Sequence, residues 1–323
     1  MSAGTGRPRP AAFTSLVCAG LLIACLGCAS HTPLPGEGMP PPDMEAVSIA
    51  GVPAYAQQEH RCGAAALASV LTWSRVRVSS QNIGTQVHNP QRDGTLQAAL
   101  ISSARRNRRV AYPIHGPKAL ILELKAGHPV LVLVNRGLSW WPAWHYSVVC
   151  GYRSDPGEVL MARGTPVKEW VPWTAFLRTW QRADFWGLLV LRPDDLPATV
   201  EADSWARSVH GLELAAHHRL ALTGYTAALT RWPTHLAAMM GRANCFYALG
   251  RLKLSEAALR RAAALHPDSG PVHNNLAHIL LKQGKLQAAD EAINAALRLG
   301  KPHPPAYEQT REAIRRARDS RAH

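Results

Sequence analysis

A single cysteine stands where a polar stretch of the chain gives way to an apolar one. Cys62 follows a polar run at residues 57–61, and the residues after Gly63 are mostly small or apolar, with no further Gly or Pro until Gly84. This pattern predicts a buried helix that begins near Cys62. The free amide groups and the dipole at a helix N-terminus favour a thiolate, so Cys62 could be a nucleophile. The alternative is a small buried core cysteine, the commoner role of this residue type.

A thiolate nucleophile needs a base, and a histidine farther along the chain is a candidate. Residues 129–134 are short, apolar and rich in Val and Leu, which predicts a buried strand. A loop with three tryptophans follows at 138–144, and His145 then opens a second predicted strand that ends at Tyr152. A histidine at the mouth of a core strand is well placed to face a cleft. Taken alone, such a histidine is more often structural.

Together the two segments resemble a known family. The blocks are Gln-(four residues)-Cys-Gly-x-Ala-x-Leu, starting at Gln57, and His-Tyr-x-Val-Val-x-Gly-Tyr, starting at His145. In this order they are similar to the papain-like C39 peptidases, and most of all to the C39-like branch of bacterial lipoproteins fused to tetratricopeptide repeats. The resemblance covers about residues 48–192.

The resemblance implies a role for each matching residue. Cys62 would be the nucleophile, and His145 would act first as general base and later as general acid. Gln57 would donate its side-chain N–H to the oxyanion, with Gln58 as the alternative donor. A thiolate–imidazolium pair and a neutral donor aimed at the developing charge suit acyl transfer.

The chain departs from the family pattern at the third catalytic position. C39 enzymes carry an Asp, and papain an Asn, on the strand after the histidine strand, where it orients the imidazole. Here that strand, residues 158–164, holds neither residue near the expected site, and Asp155 comes too early. A backbone carbonyl or a water could orient His145 instead, or the site could be weakened, because the third member controls the tautomer.

The order of predicted elements gives an α+β arrangement for residues 48–196, in which helices to about residue 126 precede an antiparallel sheet. Tryptophans at 170, 173, 180 and 186 are expected to pack its core. The tryptophans beside His145 could line a substrate groove or pack the loop. The predicted elements are a helix at 62–74, further helices to about 126, strands at 129–135, 145–152 and 158–163, a turn and helix at 170–180, and a strand at 185–191.

Beyond residue 196 the chain repeats itself. Pro233 and Pro267 are separated by the same number of positions as Gly250 and Gly284. This offset matches the tetratricopeptide period of about 34 residues, so residues 202–321 are predicted to form an all-α repeat solenoid after the papain-like domain. Such a surface usually binds a peptide or protein, although a short array can also be a spacer. The repeats are predicted at 202–235, 236–269 and 270–303, with a capping helix at 306–321.

Residues 1–28 have the composition of a targeting segment rather than of a folded part. Basic residues precede an apolar stretch that is too short to span a membrane. Leu22-Ile23-Ala24-Cys25 matches a bacterial lipobox, and Cys28 is the second candidate for lipidation. An ordinary secretory signal is the alternative. We expect a lipoprotein on the periplasmic side of a bacterial membrane, the outer one by preference, with a Pro/Gly-rich tether at 29–47.

The composition narrows the classes of partner. The net charge is +14 and the pI is near 10, so anionic partners such as lipid phosphates or cell-wall polymers are attracted, although solvated Arg-rich faces explain the charge equally well. No nucleic-acid motif accompanies it. Cys62, Cys150 and Cys245 remain after the signal region, which is no disulfide framework. No Cys/His cluster has zinc spacing, so neither a metal nor another cofactor is expected.

Two main classes of function remain. The first is a membrane-anchored thiol peptidase that acts through an acyl-enzyme, with the repeats recruiting a protein substrate or partner. The second is a scaffold lipoprotein whose papain-like domain has weak or no turnover. A third reading passes the acyl group to an amine instead of water. The double-glycine specificity of exporter-linked C39 domains is not carried over, because the chain has no ATP-binding motif and no predicted membrane helices.

Overall fold

The computed structural model describes residues 44–56, 61–89, 94–299 and 304–322, which belong to one compact unit. No helix among these residues combines the length and hydropathy needed to cross a bilayer. Several sequence predictions lie outside the described residues: the signal peptide at 1–28, most of the tether at 29–47, Cys25, Cys28, Gln57 and Gln58.

The first part of the chain is organised around an antiparallel sheet. Seven strands form it in the order β4-β9-β5-β6-β7-β8, with β1 added on β6, and β2 pairs separately with β3. The strands are Val47–Ser48 (β1), His88–Asn89 (β2), Gly94–Thr95 (β3), Val110–His115 (β4), Val130–Asn135 (β5), Trp144–Arg153 (β6), Glu158–Ala162 (β7), Lys168–Pro172 (β8) and Trp186–Leu191 (β9).

Helices cover both faces of this sheet. They are Cys62–Trp73 (α1), Ser80–Val87 (α2), Gln97–Arg106 (α3), Pro117–Lys125 (α4) and Trp173–Gln181 (α5). Tyr146 of β6 donates a hydrogen bond to the carbonyl of Thr95, which contacts α1, whereas Ser147 lines a cavity with α5. Because successive strand residues point to opposite faces, α1 and α5 lie on opposite sides of β6. The predicted α+β class is confirmed.

Two local predictions were wrong. The region before residue 126 is not only helical, because Val110–His115 forms a strand that pairs with β9 along its whole length. Its consecutive residues Val110, Ala111 and Tyr112 are all buried, which means that both faces of this segment are covered. A short run that is buried on both faces is typical of a strand inside a sheet. The segment from residue 170 begins as the end of a strand and not as a turn, since Lys168–Pro172 pairs with β7; the predicted helix follows at Trp173–Gln181, directly after Pro172.

The second part of the chain consists of paired helices. They are Ala202–Leu214 (α6), His218–Arg231 (α7), Leu236–Ala248 (α8), Leu252–Leu265 (α9), Gly270–Lys282 (α10), Leu286–Arg298 (α11) and Pro305–Ala322 (α12). The alanines that recur once in each repeat are buried where helices meet: Ala228, Ala262 and Ala296. Gly250 and Gly284 both have φ near +70°, a backbone conformation that glycine adopts without strain. The recurring alanines therefore lie at contacts between helices, and the recurring glycines lie in the turns.

A buried polar cluster ties the sheet part to the segment that leads into α6. The Glu123 carboxylate is fully buried and accepts hydrogen bonds from the amides of Ala198 and Thr199 at 3.1 and 2.7 Å. His128 lies 2.7 Å from Glu123 through Nδ1 and 3.4 Å from Asp195 through Nε2. Burial disfavours the charged form of His128, but hydrogen bonds to Asp195 and Glu123 prevail and raise its pKa to about 9. His128 therefore bridges two carboxylates as a cation.

This cluster predicts a pH-dependent stability. The raised pKa means that the stabilisation by His128 is complete below its unfolded pKa of about 6.5 and is lost as the pH rises through about 9. We expect the difference in unfolding free energy between wild type and His128→Gln to shrink from pH 6 to pH 9.5, as measured by urea unfolding. A difference that stays constant over this range would contradict the charged bridge.

Candidate active site

Cys62 is the first residue of α1, as the sequence predicts. Arg61 precedes it at the N-cap and makes no side-chain capping bond. The cysteine is half-buried, whereas Gly63 and the next residues of the helix are buried. The first amides of a helix have no intrahelical acceptor, so the thiol lies beside free donors. This half-exposed position differs from that of Cys150 and Cys245, which are buried.

Gly63 allows α1 to approach the β3 segment closely. A Cβ atom built on Gly63 would lie 2.7 Å from Cβ of Thr95, which is too close for any real side chain. Thr95 is held in turn through its carbonyl by the Tyr146 hydroxyl at 3.2 Å. The absence of a side chain at Gly63 therefore allows the start of α1, and with it the Cys62 backbone, to lie against Thr95.

His145 is the second residue of β6, and its ring is held by a backbone carbonyl. Its Nε2 atom lies 3.1 Å from the carbonyl oxygen of Arg163, the residue that follows β7. A carbonyl only accepts, so Nε2 of the neutral ring carries the proton and Nδ1 carries the lone pair. Of the two ways of orienting His145 that the sequence left open, a backbone carbonyl or a water, the structure contains the backbone carbonyl. Asp155 lies in the turn between β6 and β7.

The electrostatic environment keeps His145 neutral. Burial and, to a smaller extent, the charges of Arg136 and Arg163 lower the pKa of His145 to about 4, against the opposing effect of the Arg163 carbonyl. At neutral pH the imidazole is therefore uncharged. This differs from the thiolate–imidazolium pair that the family resemblance implies, because two guanidinium groups stand near the ring and no carboxylate contacts it among the described residues.

The charge of Arg136 interacts with both Cys62 and His145. Its charge acts on the imidazole, and the thiolate form of Cys62 would in turn favour the charged form of Arg136. Helix α1 packs against β6, and Cys62 also acts electrostatically on Tyr146. Within the part of the chain that the structure describes, no hydrogen bond joins Cys62 to His145. The two predicted residues thus share a neighbourhood without direct contact.

The sequence did not predict that Arg136 and Arg163 lie at this site. Arg136 directly follows strand β5 and Arg163 directly follows β7, so both lie at strand ends beside the start of β6. A strand-end position could have marked them in advance, but nothing in their residue type pointed to this site. The role of Arg163 toward His145 belongs to its main chain, which every residue type provides.

The tryptophan-rich loop between β5 and β6 is exposed. Trp140, Trp141 and Trp144 have 78%, 74% and 52% of their surfaces in solvent, so the alternative in which they pack the loop is wrong. The loop is nevertheless held in shape, because the Asn135 side-chain oxygen accepts bonds from the amides of Gly137 and Ala143, each at 2.9 Å. An ordered apolar surface therefore lies next to His145.

The described residues contain no cluster of three or more Cys, His, Asp or Glu side chains that could hold a metal ion.

The repeats of this chain are similar to tetratricopeptide repeats of known proteins. A family model for tetratricopeptide repeats matches residues 215–270. The Sgt2 TPR domain from Aspergillus fumigatus aligns with 38% of this chain and 83% of its own length, at 18% identity and a TM-score of 0.37. The first TPR domain of human RPAP3 aligns with 37% of this chain and 93% of its own, at 18% identity and a TM-score of 0.35. The predicted tetratricopeptide repeats are confirmed.

A third solved structure resembles this chain over a longer stretch. A candidate C39-like peptidase from Bacillus anthracis aligns with 46% of this chain and 98% of its own length, at 18% identity and a TM-score of 0.39. This likeness concerns the fold and carries no activity with it. No curated protein matches the chain.

The close approach at Gly63 predicts a cost for a single methyl group. We expect Gly63→Ala to destabilise the protein by about 1–3 kcal/mol, because the added Cβ must displace Thr95 from a packed position. The matched control is Gly84→Ala in α2, whose Cβ would meet its nearest atom at 3.9 Å and should leave the stability unchanged or raised. Thermal unfolding of the two variants tests this, and equal midpoints would contradict the tight contact.

The charge of Arg136 predicts a shift in the titration of His145. We expect Arg136→Gln to raise the pKa of His145 from about 4, yet to leave it below its usual value because burial is the larger cause. The measurement is an NMR pH titration of the His145 ring. The control is Arg178→Gln, which removes an exposed guanidinium from α5. An identical His145 pKa in wild type and Arg136→Gln would show that Arg136 does not act on the ring.

Proposed function

We propose that this protein is a thiol peptidase of C39-like type, with Cys62 as nucleophile and His145 as base. The observation that carries the proposal is the bond between His145 Nε2 and the Arg163 carbonyl, which leaves Nδ1 free to accept a proton. Cys62 at the start of α1 supplies a half-exposed thiol close to Arg136. The carbonyl of Arg163 takes the orienting role that a side-chain Asp or Asn has in the family.

In this proposal the neutral imidazole starts the reaction. His145 Nδ1 takes the thiol proton of Cys62 as the sulfur attacks the peptide carbonyl, and Arg136 stabilises the negative charge on sulfur. The protonated ring then gives its proton to the leaving amine as the C–N bond breaks, and a thioester to Cys62 remains. Water attacks this thioester with His145 again as base, which releases the acid and restores the thiol.

The oxyanion of each tetrahedral intermediate needs donors. The amide of Cys62 at the start of α1 is one candidate, since the first amides of a helix lack intrahelical acceptors. The side chain of Gln57, or of Gln58, is the second candidate and stays a prediction. The exposed tryptophans beside His145 offer an apolar surface against which an extended peptide could lie.

The repeats and the N-terminal segment add recruitment and location to the proposal. The helix pairs from α6 to α11 would bind a protein substrate or partner, as tetratricopeptide repeats generally do. Cys25 or Cys28 would carry the lipid that holds the protein at the periplasmic face of a bacterial membrane. Both parts of the proposal rest on sequence patterns.

Two observations favour the scaffold alternative. Cys62 and His145 make no hydrogen bond with each other within the described ranges, and the imidazole has a pKa of about 4, so it is a weak base before substrate binds. A weak base lowers the efficiency of proton transfer near neutral pH. A scaffold would keep the repeats as its working surface and would not turn over peptides.

Two measurements on the purified protein separate these alternatives. We expect wild type to cleave members of a mixed peptide library, Cys62→Ala to cleave none, and His145→Ala to be slower by about 100-fold or more, because a positioned base contributes at least that factor. Mass spectrometry of the library reads the cleavage. The iodoacetamide reaction at Cys62, followed on its own peptide, should also slow in His145→Ala. Absence of cleavage together with equal alkylation of wild type and His145→Ala would favour the scaffold.

A further inference from the structure

A cavity of about 210 Å³ lies on the side of the sheet that α5 covers, and one of the residues that line it is Arg163, whose carbonyl contacts the His145 ring. The ends of β5 and β7, the middle of β6 and one side of α5 enclose it. This volume is several times the roughly 30 Å³ that one water molecule occupies, so a group of several atoms fits inside. The side chains that matter for its chemistry are Arg136, Ser147 and Arg163, and its apolar wall includes Val134, Met161 and Phe176.

Ser147 is a buried donor without a partner. The residue is 0% exposed, and its hydroxyl oxygen forms no hydrogen bond within the described structure. Leaving a buried hydroxyl unpaired is unfavourable, and most such groups in proteins have a partner. Ser147 lies two positions after His145 on β6, so both side chains project from the same face. The unpaired Ser147 hydroxyl therefore faces the cavity, on the same side of β6 as the imidazole.

The charges that line the cavity are positive. Arg163 has one acidic neighbour, Glu169 at 3.3 Å, whereas the Arg136 guanidinium makes no ion pair or hydrogen bond to any described residue. Burial lowers the pKa of Arg136, and the charge of Arg163 lowers it as well, because the two guanidinium groups repel each other. A bound anion would relieve this repulsion and would accept hydrogen bonds from the guanidinium groups and from the hydroxyl.

We infer that this cavity is a subsite for a carboxylate of the peptide substrate, held by Arg136, Arg163 and Ser147 on the same side of β6 as His145. Guanidinium groups match the planar carboxylate geometry, and the apolar wall suits the methylene groups of an acidic side chain. The inference rests on the proposed peptidase function and adds to it a class of substrate. The carboxylate could come from a Glu or Asp side chain or from a peptide C-terminus.

A bound carboxylate would also change the base. Arg136 and Arg163 both act to lower the pKa of His145, so an anion between them offsets their charges and raises that pKa. A peptide that fills the subsite would thus make His145 a stronger base than in the free protein. A neutral peptide of the same shape would leave the base weak.

The test uses binding to the full-length Cys62→Ala protein, in which no thiol chemistry occurs. N-acetylglutamate amide supplies a side-chain carboxylate, N-acetylalanine a terminal one, and N-acetylglutamine amide is the neutral control. We expect at least one of the two carboxylates to bind saturably and to raise the pKa of His145 by about 1, as read by NMR titration. Which one binds identifies the source of the carboxylate.

Variants then locate the binding. Ser147→Ala and Arg136→Gln should weaken it by about tenfold or more, as expected for the loss of a hydrogen bond to a charged group. The exposed arginine change Arg178→Gln should leave it unchanged. No saturable binding of either carboxylate, equal binding of the neutral amide, or equal weakening by Arg178→Gln would overturn the inference. Because Cys62→Ala is inactive in any case, these outcomes are separate from the success or failure of the peptidase proposal.

Discussion

The arrangement of the candidate site depends on strand β6 and on the burial of its two faces. β6 pairs with β5 and β7 and also carries β1, so its register is fixed from both sides. Successive residues at its start therefore have no freedom to exchange faces. His145 and Ser147 project toward α5, while Tyr146 projects toward the start of α1. A slip by one residue would move the imidazole away from the Arg163 carbonyl and the Ser147 hydroxyl out of the cavity.

Much of this could be read from the sequence. The helix that begins at Cys62 and the strand that carries His145 follow from local composition, and the repeats follow from the constant offset between their Pro and Gly positions. The strand Val110–His115 was missed because its partner β9 lies far along the chain, and a short apolar run alone fits a helix equally well. Pairing between distant segments is a tertiary property that periodicity does not record.

The electrostatics of the site could not be predicted in the same way. The group that orients His145 is the main-chain carbonyl of Arg163, and a search for an acidic or amide side chain passes over it. The low pKa of His145 arises from burial and from Arg136, which joins the site only through the pairing of β5 with β6. The charge state of His145 therefore depends on tertiary contacts that a residue pattern does not contain.

The sheet part and the repeats are joined without a free linker. Glu123 holds the amides of Ala198 and Thr199, and the first repeat helix places Trp205, which is fully buried, against Tyr112 of β4 with their ring centres 6.2 Å apart. Such a junction fixes how far the repeat surface lies from the thiol. If the repeats bind a target protein, this fixed distance limits which bonds of the target can reach Cys62. It would select targets by the number of residues between the segment that is held and the bond that reaches Cys62, besides the sequence around that bond.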